Sequence, residues 1–127
     1  MKKLILVAQE TADARKGVLN ALSPLYAEGY SILTCMSGEE LIKKMSLGQA
    51  CLAVVDLTMP ELNGFELINK LTSDPSTTNV PIMALTPPTL GVFKYITRCM
   101  GVTYFFNRPT SPVKILEMAR ECMGRAE

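Results

Sequence analysis

Ala50-Cys51-Leu52-Ala53-Val54-Val55 is an unbroken apolar run that ends on Asp56. A short run of this kind, rich in β-branched residues and without polar alternation, reads as a strand buried on both faces. Such a strand needs cover on either side, which points to a parallel sheet between two layers of helices. A carboxylate at the C-terminal end of the strand stands at the carboxyl edge of that sheet, where open α/β folds place their ligands. Pro60 stops the strand, and Asn63-Gly64 marks a turn that re-aims the chain. An acid that ends a hydrophobic strand and opens into a loop suits chemistry better than packing.

The rest of the chain repeats the alternation. Leu4-Ile5-Leu6-Val7-Ala8 reads as a first buried strand. Helical spacing follows from Ala12 to Glu28, with Val18, Leu19, Leu22 and Leu25 on one face, and Gly29 closes it. Pro24 lies inside this pattern and is expected to kink or loosen the last turn. Tyr30 to Cys35 is a second strand. Ser37 and Glu40 have the spacing of a capping box, opening a helix with Leu41, Ile42 and Met45 inward. After Asp56, a third helix is expected from Gly64 to Leu71, then a loop from Ser73 to Asn79. Pro81 to Leu85 is a fourth strand ending in Thr86. A helix from Leu90 to Met100 is closed by Gly101, and Tyr104 to Phe106 is a short fifth strand. Ser111-Pro112 caps a final helix carrying Val113, Leu116, Ala119 and Met123. Five βα units in sequence predict an α/β fold: a doubly wound, flavodoxin-like three-layer sandwich with a five-stranded parallel sheet in the order 2-1-3-4-5.

The length of 127 residues predicts one domain, spanning 1–127. A net charge of +1 gives no reason to expect nucleic acid or an anionic membrane as partner. No apolar run approaches the ~18 residues that span a bilayer, and Gln9-Glu10 interrupts the N-terminal apolar run too early for a secretory signal. The cytoplasm is the expected compartment. Cysteines stand at 35, 51, 99 and 122, never at CxxC spacing, and there is no histidine. A zinc site and any histidine base are thereby disfavoured. The cysteines read as small apolar residues in a reducing compartment. Lys43-Lys44 and Arg15-Lys16 read as solvated helix faces.

In this topology strands 1, 3, 4 and 5 end close together, bringing Glu10, Asp56, Thr86 and Arg108 to one edge. Two carboxylates, a hydroxyl and a guanidinium suit a hard divalent cation and a phosphoryl group. On these residues the chain resembles the receiver domain of two-component response regulators along its whole length. The resemblance is carried by the acid after strand 1, the stretch Asp56-Leu57-Thr58-Met59-Pro60-Glu61-Leu62-Asn63-Gly64, Ala84-Leu85-Thr86, and Arg108-Pro109 after strand 5. It implies that Asp56 accepts a phosphoryl group from a kinase phospho-histidine. It implies Mg²⁺ as cofactor, held by Glu10, Asp56 and the Thr58 backbone carbonyl. Thr86 would contact the phosphoryl group and act as a switch, Phe105 would take the aromatic switch position, and Arg108 would stand where the family has lysine. The implied protein is a non-enzymatic signalling receiver. Its partners are a sensor histidine kinase or phosphotransfer protein and a downstream protein, with a homodimer through the fourth helix, fifth strand and fifth helix as a further family expectation.

Three positions depart from the family pattern. Gln9 replaces the first of two acids after strand 1, which weakens Mg²⁺ binding. Arg108 is a planar fork where the family has a compact ammonium. Pro87 has no N–H where the family offers one to the phosphoryl group. A lost charge-assisted hydrogen bond costs roughly 1.5–3 kcal/mol, about ten- to a hundredfold in binding. These departures support an alternative reading: a phosphorylation-independent pseudo-receiver that serves as a protein-interaction module. A remote alternative is a phosphatase with an aspartyl nucleophile, which needs a second acid two residues on, where this chain has Thr58.

Overall fold

A computed structural model describes residues 3–8, 12–56, 64–75, 79–86, 104–107 and 111–126, with the backbone alone described at 12–15, 64–65, 85–86, 104–107 and 125–126. The strands are β1 (Leu4–Ala8), β2 (Ser31–Cys35), β3 (Ala50–Asp56), β4 (Ile82–Thr86) and β5 (Tyr104–Asn107). The helices are α1 (Ala12–Leu22), α2 (Gly38–Ser46), α3 (Gly64–Ser73) and α4 (Pro112–Ala126), with a 3-10 helix over Ser23–Glu28. The helix expected over 90–100 lies outside the described residues, so the C-terminal helix carries the label α4.

The sheet runs β2-β1-β3-β4-β5 with every pairing parallel, the order expected from the sequence. The central strands β1 and β3 are nearly pure apolar runs because both of their faces are covered, whereas the edge strand β2 leaves Leu33 45% exposed. One face packs Leu6, Ala53, Val55 and Ala84 against Leu41 and Met45 of α2 and Leu67, Ile68 and Leu71 of α3. The other packs Ile5, Val7, Leu52, Val54 and Met83 against Val18 and Leu22 of α1 and Ile115, Ala119 and Cys122 of α4. These two cores make the molecule a three-layer α/β sandwich. β4 ends at Thr86 as expected, and Asn107 extends β5 one residue beyond its expected end.

Pro24 does more than loosen a turn. α1 stops at Leu22 and the chain continues as a 3-10 helix with proline in its first turn, since proline cannot supply the next α-helical N–H. Leu25 stays fully buried in that segment. Gly29, at φ +91°, then reverses the chain into β2, a left-handed conformation that glycine adopts without steric cost. Within α1, Gly17 is exposed, and a Cβ there meets no other heavy atom within 4 Å. Gly17→Ala is therefore expected to stabilise the domain by about 0.5–1 kcal/mol, read as a raised urea midpoint at constant slope.

The start of α2 shows the expected cap with one variation. Ser37 Oγ accepts from the Glu40 backbone N–H at 3.2 Å, while Glu40 Oε2 accepts from the N–H of Met36, one residue before the cap, at 3.0 Å. The Met36 N–H, and then the Lys44 ammonium at 2.9 Å, hold the Glu40 carboxyl below its ordinary range. Ser37→Ala is expected to cost about 1 kcal/mol by the same denaturation measurement. Lys44 is not a simple solvated residue. Its ammonium also donates to the Thr34 carbonyl of β2 at 3.3 Å, which occupies an acceptor on the outermost strand of the sheet. Lys43 and Lys16 are exposed, as expected.

In α4 the buried stripe is Ile115, Ala119, Cys122 and Met123, whereas Val113 is 65% exposed. Val113 lies in the first turn, on the far side of the helix from Ile115. Cys35 and Cys122 are buried free thiols and Cys51 is half-buried. Burial pushes Cys35 up to about 11 and Cys122 up to about 12, which leaves both as unreactive thiols at neutral pH. Cys99 lies outside the described residues. Among the described residues, no helix is long and apolar enough to cross a membrane.

Candidate functional site

The strand register builds one edge of the sheet around Asp56. β1 ends at Ala8, level with Val55 and one residue short of the level of Asp56. On the other side Asp56 is level with Leu85, which puts Thr86 one step further out. Thr86 is in turn level with Asn107, the last residue of β5. Phe105 is level with Ala84, so positions 86 and 105 fall on the same face of the sheet by strand alternation. The carboxyl ends of four adjacent strands therefore form the floor of the site.

Asp56 is fully buried, and it is the buried charged residue among those described. A carboxylate does not stay in such a place without compensation, because its desolvation costs several kcal/mol unless it is paired or hydrogen-bonded. Asp56 is not without a partner. Its main chain is level with Leu85 of β4, and Val55 and Ala84 beside it are fully buried. The carboxylate is thus fixed by rigid elements rather than carried on a loop, which suits a group that has to meet an incoming reactant in one geometry.

Of the residues expected from the sequence, Asp56, Thr86 and Phe105 lie in described strands, and the last two are placed by backbone alone. Glu10, Thr58 and Arg108 lie outside the described residues, as do Gln9 and Pro87. The donor set expected for Mg²⁺ is all oxygen, two carboxylates and a carbonyl, which fits a hard cation. Asp56 is its described member, at the end of β3. Among the described residues, no three histidine, cysteine or acidic side chains group together. Polar contacts without a signal in the sequence include Lys44 on β2 and an ion pair between Glu28 and Arg120. The second joins residues 92 positions apart, and no local pattern announces it.

The comparisons with known proteins agree with this arrangement. The chain is 26% identical over 127 residues to the response regulator GtcR of Aneurinibacillus migulanus, covering 99% of this chain and 50% of that protein. It is 28% identical over 123 residues to the chemotaxis protein CheY1 of Helicobacter pylori, covering 94% and 96% of the two chains. The chain spans about half the length of several of the curated relatives it matches. Among solved structures, the chemotaxis protein CheY4 of Vibrio cholerae superposes with a TM-score of 0.82 at 22% identity, over 96% of this chain and 99% of that one. That likeness shows the receiver fold. The sequence profile of the response regulator receiver domain matches residues 5–120, and the chain belongs to that family.

Proposed function

We propose that this domain accepts a phosphoryl group on Asp56 from a histidine kinase or phosphotransfer protein and thereby changes which protein partner it binds. The observation that carries this reading is the position of Asp56: a fully buried carboxylate held at the carboxyl end of β3, in a chain that belongs to the receiver family. Receiver domains as a class interact with histidine kinases or phosphotransfer proteins and generally bind Mg²⁺ for phosphorylation. The domain acts as a stoichiometric acceptor in the cytoplasm rather than as an enzyme that turns substrate over.

The chemistry is a single displacement at phosphorus. An oxygen of the Asp56 carboxylate forms the new O–P bond as the P–N bond of a phospho-imidazole breaks. The imidazole nitrogen leaves with the bonding pair and takes a proton from solvent. Phosphoryl transfer needs placement and charge stabilisation more than covalent help. Asp56, Glu10 and the Thr58 carbonyl would hold Mg²⁺, which would supply neutralisation of charge on the phosphoryl oxygens. Thr86, one step beyond the level of Asp56, contributes its hydroxyl as the phosphoryl contact and switch, Phe105 follows it on the same face, and Arg108 supplies the cation. The acyl phosphate then shifts the balance between two arrangements of the β4–β5 end. A homodimer through the 90–100 segment, β5 and α4 belongs to the same reading.

The test is intact mass after incubation with acetyl phosphate and Mg²⁺. A gain of one phosphoryl group that disappears when EDTA replaces Mg²⁺ supports this function. Gln9, Pro87 and Arg108 favour a second reading, the phosphorylation-independent pseudo-receiver. That reading expects no mass gain in folded protein, and partner binding that Asp56→Asn leaves intact.

A further inference from the structure

The two ends of α4 are held differently. Arg120, in its third turn, grips the Glu28 carboxylate with both branches of the guanidinium, at 2.8 and 2.5 Å. This fork-to-fork geometry is the strong form of an exposed ion pair. Glu28 is itself fixed. The 3-10 helix that Pro24 imposes ends on it, and its carbonyl accepts from Lys3 Nζ at 3.2 Å. That ammonium lies 4.1 Å from the centre of the Tyr30 ring. One turn further along α4, Met123 Sδ accepts from Cys51 Sγ of β3 at 3.7 Å, and Ala119, Cys122 and Met123 are buried between these contacts. Lys3, Glu28 and Tyr30 flank the starts of β1 and β2, so all of this ties α4 to the amino edge of the sheet.

The first turn lies at the other edge, because α4 follows β5 and runs back along the sheet. Ser111, Pro112, Val113 and Lys114 are all exposed. Among the described residues, this turn is held by its own cap: Ser111 Oγ accepts from the Lys114 N–H at 3.3 Å, and the Ser111 carbonyl accepts from the Ile115 N–H at 3.1 Å. We propose that α4 is a lever pinned at the amino edge by the Glu28–Arg120 pair, with its first turn, at the Asp56 end of the sheet, as the part that shifts. That a phosphoryl group drives the lever rests on the function proposed above; the pin does not, and it is testable in the unphosphorylated protein.

Hydrogen–deuterium exchange along α4 of the full chain reads the pin directly. Glu28→Gln and Arg120→Gln are each expected to raise amide exchange over 119–124 by about two- to fivefold, with the amides of 115–117 unchanged. The double variant is expected to match either single one, because both remove the same contact. The proposal is overturned if the distal amides do not respond to either substitution, if exchange rises evenly along the helix, or if the two effects add.

Discussion

Asp56→Asn is expected to reduce phosphoryl labelling by acetyl phosphate and Mg²⁺ to background while leaving the α/β circular dichroism spectrum in place. The amide nearly matches the carboxylate in shape, so the buried Val55 and Ala84 beside it keep their packing. What it loses is the anionic oxygen that attacks phosphorus. Among the described strand ends Asp56 is the one that carries a carboxylate: β1 ends in Ala8, β4 in Thr86 and β5 in Asn107. Intact mass spectrometry of both proteins under one labelling condition checks it. Labelling of the variant at the wild-type level would place the acceptor elsewhere.

Leu6→Ala is expected to destabilise the domain by about 2–5 kcal/mol. Leu6 sits at the centre of β1, fully buried, level with Leu33 on one side and Ala53 on the other. It shares one core with residues of α2 and α3. A strand fixed between two others cannot collapse into the space that the side chain leaves, so both the transfer and the cavity contributions are felt. A domain of this kind has about 5–15 kcal/mol in total, so the loss takes a large share of it. The matched control is Leu47→Ala, at a leucine 73% exposed beyond the end of α2, where the change stays within about 0.5 kcal/mol. Equilibrium urea denaturation of the three proteins separates the two cases. Equal midpoints would contradict the packing described for β1.

The sheet was legible because β1 and β3 at its centre are continuous apolar runs, and two-sided burial leaves parallel βα units as the economical solution. Asp56 stood out for the same reason: a carboxylate at the end of six apolar residues breaks the pattern where the strand meets the edge. Features that depend on the direction of a helix or on distant partners were less legible. Pro24 signalled a break in α1 but not the 3-10 continuation that keeps Leu25 buried and brings Glu28 to Arg120. Val113 looked like part of the apolar stripe, yet the angle at which α4 meets the sheet selects Ile115 instead. Lys44 looked like a solvated residue because its partner, the Thr34 carbonyl, carries no side-chain signal in the sequence. In the site, the positions of Asp56, Thr86 and Phe105 follow from strand register, whereas Glu10, Thr58 and Arg108 lie outside the described residues and their roles rest on the family pattern.

The most direct measurement is to locate the phosphoryl group chemically. Wild-type protein labelled with acetyl phosphate and Mg²⁺ is reduced with borohydride, which converts an acyl phosphate to the corresponding alcohol, and is then digested and sequenced by mass spectrometry. The predicted result is a single modified residue, Asp56. A modified residue elsewhere, or no modification in folded protein under conditions that label another receiver domain, would contradict the account.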